Sequence, residues 1–575
     1  MKTVSFILST LLCLSSIATA SDIATASDIA AFSEPVVERP ANKQQILYLA
    51  QTQNCKETLK LYRTYKEQLG RHDFEVLQQI ATTWIEQSAR SLSPEKQILG
   101  IFGFGVAGLT APPDILESAI TSSDAQLQSA ALGFLGKMQE DYSYTLLNKA
   151  MSSPFLYTRL EAAYLLAQGK AASATGQIES LMYRLPPQMR YFFPEFFAII
   201  GTSEAIHVLR HLMDDAFPPT KIEAILSAAR HGRDDLISPI RAAATHLDNA
   251  EQEACAAALG YLKDMRSIKK LKKLSTHASV LVQLSALHSL FLLGDQEAPL
   301  KIAEEAQKEN IYAISLLAEI PGYEETLLPL LKNQSMQIRF NAALSLLKKK
   351  DPRSLPALLE FLIKDSKDIG FQPQISTGGA LRAWKVISSL RQHAEDSFFD
   401  IQAMTLSLKE HLILEAVELP TANFLELAQL LFETRQNELV PVIVAMLENL
   451  RTPEAISLLK KHSKAPGAPL IRTYCNLALF KLKEEGPYQE AIRDFLLQSK
   501  SHELIRFRAA VPWNMRLSDS YHLTPEESSA LLISAYETLA SKQDSEGIDI
   551  LLEAIELGHE GNRPVLSGIL IHTLH

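Results

Sequence analysis

The segment from Ser335 to Asp365 carries a clear helical periodicity of apolar residues. Its first half places apolar side chains on one face of a 3.6-residue helix, at Ile338, Ala342 and Leu346. Its second half spaces four leucines at i, i+3, i+4 and i+7: Leu355, Leu358, Leu359 and Leu362. The pattern predicts two amphipathic helices that follow one another closely.

The dipeptide Asp351-Pro352 lies between these helices and is typical of an N-cap followed by proline in the first helical turn. Each apolar stripe is too wide for a lone helix pair to bury, so the pair must stack on similar pairs. Small residues recur about every 30 residues in the predicted second helices, at Ala131, Ala163, Ala198, Ala228, Ala257, Ala286, Ala313 and Ala343. The sequence therefore predicts an all-α solenoid.

A family resemblance is carried by the same segment, through Ile338-Arg339-Phe340-Asn341-Ala342-Ala343, Leu346-Leu347 and Asp351-Pro352. It resembles the second helix and following turn of a HEAT repeat, in particular the bacterial phycobilisome-lyase-type HEAT-like repeats. Weaker echoes begin at Arg159, Arg472 and Arg506. The resemblance implies an armadillo-type right-handed superhelix of antiparallel helix pairs. The family often has Asp six residues before the Arg, where this chain has Asn333 and Ser153.

The N-terminus is typical of a secretory signal peptide over residues 1–20, with Lys2, an apolar run and the cleavage motif Ala18-Thr19-Ala20. A tandem copy of the motif offers a second cleavage site after Ala26. The sequence predicts export to a periplasm or beyond the cell, and a lipoprotein anchored through Cys13 is an alternative. No later apolar run reaches the roughly 20 residues that a membrane helix needs.

The composition pattern divides the rest of the chain. We expect a flexible linker at 27–42, a helical cap at 43–110, HEAT-like repeats at 111–365, an irregular loop at 366–379, further repeats at 380–510, an irregular loop at 511–525 and a C-terminal cap at 526–575. Helices should resume at 380–390. The glycines of Ile98–Leu109 predict close helix packing, because no lysine follows them in phosphate-loop spacing.

Charge and cysteine content exclude several classes of protein. The net charge of −10 argues against general nucleic-acid binding. The four cysteines show no CxxC spacing, which excludes a disulfide scaffold and a cysteine zinc site, and Cys255 and Cys475 are expected to be small buried thiols. We expect no cofactor, since no Walker A, G-x-S-x-G or H-E-x-x-H motif is present.

The candidate binding residues form three groups. Lys269, Lys270, Lys272 and Lys273 make a basic helix face that, together with Lys348–Lys350 and Arg353, predicts a stripe for an acidic partner or anionic lipid. Phe371, Trp513 and Tyr521 are candidate anchors in the two irregular segments. His207 and His211, at i and i+4, are a weak candidate metal pair, since Val208 stands where a zinc protease has Glu.

Three functions are compatible with these features. The leading hypothesis is a non-catalytic exported scaffold or adaptor that binds a protein or peptide partner on an extended solenoid surface. Peripheral association with the cell envelope is compatible with this hypothesis. The second is an enzyme of the bilin-lyase kind, which the resemblance alone implies. The third is a structural subunit of an envelope or secretion assembly.

Overall fold

The computed structural model describes residues 42–52, 54–138, 140–366, 368–388, 398–499, 504–506, 525–540 and 545–574. The predicted signal peptide with Cys13, the linker up to residue 41 and nearly all of 511–525 lie outside these residues. Within them, helices dominate, as the periodicity predicts.

The described residues up to Leu292 form the helices α1 Lys43–Gln51, α2 Cys55–Leu69, α3 Phe74–Ala89, α4 Pro94–Val106, α5 Pro113–Ile120, α6 Ala125–Leu135, α7 Asp141–Ala150, α8 Leu156–Gln168, α9 Thr175–Arg184, α10 Phe193–Ile200, α11 Ser203–Leu212, α12 Pro218–Arg230, α13 Ile237–Ala243, α14 Asn249–Tyr261, α15 Ile268–Leu274 and α16 Val280–Leu292. Several of them begin with a side-chain cap, as where Asp124 and Asp248 each accept a hydrogen bond from the backbone N–H three residues later.

The described residues beyond Leu292 form helices and a hairpin of two strands: α17 Ala298–Gln307, α18 Ile311–Leu316, α19 Glu324–Leu327, α20 Met336–Lys348, α21 Leu355–Leu362, β1 Ile369–Ile375, β2 Arg382–Ser388, α22 Phe398–Ala416, α23 Thr421–Glu433, α24 Val440–Leu450, α25 Pro453–His462, α26 Pro469–Lys481, α27 Tyr488–Ser499, α28 Glu527–Ala540, α29 Ser545–Leu557 and α30 Arg563–Leu574. Short 3-10 turns precede several of them.

The helices stack as antiparallel pairs in two rows, which is the HEAT-like arrangement that the sequence predicts. The even-numbered helices from α4 to α30 form one row in which each contacts the next, and these contacts are much more extensive than those between odd-numbered helices. Helices on the concave side of a curved array approach each other more closely, so the even-numbered helices form the inner row.

Small side chains and serine hydroxyls join neighbouring inner helices. Ser285 and Ser289 of α16 donate to the backbone carbonyls of Glu253 and Ala256 on α14, at 2.8 and 2.7 Å. A Cβ at Gly260 would overlap Ser289, so only glycine permits this approach. The same type of hydrogen bond joins α20 to α18, where the Ser345 hydroxyl donates to the Ile314 carbonyl at 2.9 Å.

The arginine of the repeat motif binds a backbone carbonyl six residues earlier, where the family often has an aspartate. Arg339 Nη1 donates to the backbone carbonyl of Asn333 at 2.7 Å, and Arg159 Nη1 donates to that of Ser153 at 3.3 Å. The residue six positions earlier therefore contributes a main-chain oxygen, which does not require an aspartate side chain.

The two ends of the solenoid pack against each other. Helix α30 lies on α3 and α4, and α29 contacts α2, so the helical rows close on themselves. Gly103 and Gly568 bring α4 and α30 into backbone contact, which explains the glycine-rich sequence of α4. Ion pairs from Arg63 to Glu556 and from Lys66 to Asp549, both 2.5 Å, complete this seam. The regions predicted as the N-terminal and C-terminal helical caps therefore pack against each other.

An antiparallel β-hairpin interrupts the helices. The predictions of an irregular loop at 366–379 and a helix at 380–390 were wrong, because β1 and β2 occupy these positions. Pro373 lies opposite Trp384, and Phe371 opposite Val386. These are pairs whose backbone groups point away from the ladder, so Pro373 costs no ladder hydrogen bond.

Candidate partner-binding surface

The hairpin lies across the inner row and fills part of the concave surface. Its strands contact α18, α20 and α22, and its turn reaches α12 and α14. Its outward backbone groups are satisfied by side chains of the inner helices. Asn341 exchanges two hydrogen bonds with the Trp384 backbone, at 2.8 and 2.7 Å, and Thr405 accepts one from the Phe371 N–H at 3.0 Å.

Glu253 of α14 holds the hairpin turn. Its carboxylate is fully buried and accepts hydrogen bonds from the Ser376 hydroxyl, from the Gly378 N–H at 2.9 Å and from the Ala380 N–H at 3.3 Å. Gly379 has a φ of +69°, which favours glycine in this turn. A carboxylate on an inner helix thus anchors a turn more than 120 residues away in sequence.

The base of the hairpin is held by a buried ion pair. Lys409 of α22 is fully buried, and its ammonium lies 2.6 Å from a carboxylate oxygen of Glu438. The Ser366 hydroxyl donates to the same oxygen at 2.7 Å. Since the turn and the base are both fixed, the hairpin is an integral part of the inner surface.

The anchor residues that the sequence predicts in irregular segments have different outcomes. Phe371 is 0% exposed and stacks on Phe340 with ring centroids 4.4 Å apart, so it is a core residue of the hairpin and its side chain does not reach the surface in this conformation. Trp513 and Tyr521 lie outside the described residues and stay predictions.

The predicted basic residues lie on α15, in the outer row. Lys269, Lys272 and Lys273 are exposed and Lys270 is half-buried. Lys272 lies 3.6 Å from Asp295, whereas the other three form no ion pair with any carboxylate in the described chain. These four lysines, with the exposed Lys263 and Arg266 just before them, are called the basic face below.

The acid nearest in sequence to the basic face does not neutralise it. Asp264 is buried and accepts hydrogen bonds from Arg241 at 2.5 and 2.7 Å and from the Ser267 hydroxyl at 2.5 Å. The hydrogen bond from Arg241 lowers the pKa of the Asp264 carboxyl. The charge of Asp264 is therefore compensated by the preceding helix pair, which leaves an excess of positive charge on α15.

Three of the four residues in the second basic group of the predicted stripe are paired with acids. Lys349 pairs with Glu324 at 3.2 Å, and Lys350 with Glu418 at 3.0 Å. Arg353 pairs with Glu325 at 2.8 Å and with Asp351 at 2.6 Å. The charges of these three residues are therefore compensated, whereas Lys348 is exposed and forms no ion pair in the described chain.

His207 and His211 are exposed on the outer helix α11, with their Nε2 atoms 3.3 Å apart. The nearby Asp215 is used within the fold, where it accepts a hydrogen bond from the Phe217 N–H at 2.8 Å. Across the described part of the chain, no three His, Cys, Asp or Glu side chains come together in a way that fits a metal ion.

The described cysteines, Cys55, Cys255 and Cys475, are free and buried, and Cys255 and Cys475 match the prediction of small buried thiols. Burial raises the pKa of both thiols, that of Cys475 to about 12. Among the described helices, none is both long enough and apolar enough to cross a bilayer.

Comparisons with known proteins give a likeness in fold alone. No family model matches the chain. No curated protein matches it in sequence either. Among solved structures, human deoxyhypusine hydroxylase is 14% identical with a TM-score of 0.24, and covers 55% of this chain and 99% of its own. The CpcE–CpcF complex of phycocyanin lyase from Nostoc sp. PCC7120 is 14% identical with a TM-score of 0.25, and covers 43% and 92%.

The karyopherin Kap121p, bound to the extreme C-terminus of the phosphatase Cdc14p, covers more of this chain. It is 12% identical with a TM-score of 0.34, and covers 89% of this chain and 57% of its own. The neighbours are HEAT- or armadillo-type helical solenoids. At these scores they carry no argument about function.

Proposed function

We propose that the chain is a non-catalytic, exported helical-repeat scaffold that binds an acidic segment of a partner protein on the basic face of α15. The observation that carries this proposal is a run of cations that the fold leaves uncompensated, in a protein whose net charge is −10. Some other cations, such as Lys350 and Arg353, are paired with acids, and the basic face differs in carrying, within 11 residues, five cations that have no ion pair in the described chain. Charge complementarity favours an acidic partner and speeds its association.

The closed form of the solenoid supports a site on the outer row. An open array presents its concave groove to a peptide. Here the hairpin already lies across that surface, from α12 to α22, and Glu253 and Lys409 hold it in place.

The basic face also offers an apolar contact. Met265 is 60% exposed and lies between Lys263 and Arg266 in sequence. A methionine adapts to partner side chains of varied shape. Exposed ion pairs contribute little individually and weaken with salt, so binding should combine several such pairs with this contact.

The test is affinity capture of the chain, tagged at its C-terminus, from its own cell envelope after gentle crosslinking. The charge-reversal variant replaces the four predicted lysines on α15 with Glu. The control replaces Lys60, Lys137, Lys332 and Lys464 with Glu, since all four are exposed and free of ion pairs in the described structure. We expect one dominant partner, lost in the first variant and retained in the control, with capture weakening as salt rises.

Equal capture by both variants, or no partner with the unaltered chain, would refute the scaffold proposal. Export is tested separately by fractionating the cells and determining the N-terminal residue of the chain. Cleavage after Ala20 or Ala26 is expected, and a full-length cytosolic chain would contradict it.

A further inference from the structure

Two histidine side chains converge on the solvent-facing side of the outer helix α11. His207 and His211 stand at i and i+4, which places them on one face of the helix, and both are exposed. Their rings lie edge to face, with centroids 4.4 Å apart and ring planes at 77°. The two Nε2 atoms are 3.3 Å apart, so in the neutral pair one Nε2–H donates to the other Nε2.

Other histidines of the described chain have acidic partners within the fold. Nδ1 of His246 lies 2.7 Å from a carboxylate oxygen of Glu251, and Nε2 of His288 lies 3.0 Å from one of Glu319. In the described structure, neither ring of the α11 pair forms an ion pair with an acid. The pair is therefore not needed to hold the fold together, and its rings are available to a ligand from solvent.

The distance between the two Nε2 atoms matches that of two imidazole ligands on one metal ion. Zn–N bonds of 2.0–2.1 Å that meet at a tetrahedral angle place their nitrogen atoms about 3.3–3.4 Å apart. The helical spacing lets both rings reach one ion from successive turns of the same helix. Imidazole suits zinc, copper and nickel. His207 and His211 are thus arranged as a bidentate ligand for such an ion.

The charges close to the pair along the chain favour a cation. Glu204 lies one turn before the pair and Asp214 just after it, and both are exposed and free of ion pairs in the described structure. Asp215 is compensated by Arg190, 3.9 Å away. Arg210 is the cation within α11 itself, so carboxylates outnumber cations around the two rings. This balance attracts a divalent metal ion.

We propose that His207 and His211 bind a divalent transition-metal ion of the zinc or copper class, each through Nε2. The ring that carries its proton on Nε2 moves it to Nδ1 by exchange with water, so both lone pairs become free and no net proton is released. The protein fills two coordination positions, and water fills the others. The basic face of α15 takes no part in this site.

The test is calorimetric titration of the purified chain, carrying no polyhistidine tag, with ZnCl₂ and separately with CuSO₄ at neutral pH. Half the ligands of a structural zinc site give roughly half its binding free energy, which corresponds to a Kd of about 1–200 µM. We expect one ion per chain and tighter binding of Cu²⁺ than of Zn²⁺. The electron paramagnetic resonance spectrum of the Cu²⁺ form should show coupling to two nitrogen nuclei.

Two variants remove one ligand each. His207→Gln and His211→Gln change exposed side chains, so both should fold, and each should weaken binding about tenfold or more and lose the two-nitrogen coupling. His411→Gln is the matched control, since it removes an exposed helical histidine that has Glu415 beside it, at 3.0 Å, and no second imidazole. It should bind both ions like the unaltered chain.

The absence of binding by both ions up to about 1 mM, above the weakest Kd expected, would overturn the proposal. Undiminished affinity in His207→Gln or in His211→Gln would also overturn it, because a bidentate site requires both rings.

Discussion

Replacing Glu253 with Ala should release the hairpin from the inner row. The change removes the acceptor of three hydrogen-bond donors: the Gly378 N–H, the Ala380 N–H and the Ser376 hydroxyl. The Gly378 nitrogen lies 2.9 Å from the carboxylate oxygen that is lost. Each buried donor that loses its partner costs about 1–3 kcal/mol. Part of this is offset, because the carboxylate no longer has to be desolvated.

We therefore expect hairpin docking to weaken by about 3–5 kcal/mol in Glu253→Ala, because three donors lose their acceptor and the relief of carboxylate desolvation offsets only part of that cost. Glu253→Gln keeps the shape and one acceptor oxygen, so its loss should be smaller, about 2 kcal/mol. The global unfolding free energy should change less than the local one, since the helical rows on either side of the hairpin retain their packing.

The assay is amide hydrogen exchange followed by mass spectrometry on peptides that cover the hairpin turn. A weakening of 3–5 kcal/mol corresponds to exchange that is faster by a factor of about 10² to 4 × 10³ at Gly378 and Ala380. Glu426→Ala is the matched control, because Glu426 is exposed on α23 and has no ion pair. Unchanged exchange in the turn of Glu253→Ala would refute the assignment of Glu253 as its anchor.

Three further outcomes are expected. Gly103→Leu should open the seam, because its Cβ would overlap the Pro564 carbonyl. We expect the free energy of unfolding to fall by at least about 2 kcal/mol in chemical denaturation, and the radius of gyration in solution scattering to increase. An unchanged radius would contradict this. Phe371→Ala should cost about 3–5 kcal/mol of hairpin stability by hydrogen exchange while partner capture by the basic face persists. Burial lowers the pKa of His72 at the seam, and the positive charge of Lys66 lowers it further. Because the unfolded chain then binds the proton more readily than the folded chain, the stability of the fold should decrease as the pH drops below about 6.5. His72→Gln should show a shallower loss between pH 7 and 5, and an identical slope would count against the role of His72.

The helical pairs could be predicted from the sequence because their signals are local. The apolar stripe of 336–348, the Asp351-Pro352 junction and the alanines of the second helices all act within one or two turns. The exposure of the α15 lysines could also be predicted locally. When Leu271 and Leu274 of this short helix are buried, its lysines must face the solvent.

The hairpin was missed because its turn residues resemble those of a loop. No helical pattern is visible in this segment, because it contains Gly370, Pro373 and Gly378-Gly379. However, a Gly-Gly pair followed by the β-forming residues of β2 is typical of a hairpin and could have been used to predict one. Proline is tolerated in β1 because its position in the register needs no N–H.

The sequence by itself determined the helix pairs, their order and the exposed charge of α15, because each of these depends on residues a few positions apart. Only the tertiary structure decided that α30 closes on α3 and α4 and that Glu253 holds a distant turn. Closure is the sum of small rotations between successive helix pairs, and no local pattern specifies that sum. Contacts between residues hundreds of positions apart follow from it, which is why the seam could not be predicted from the sequence.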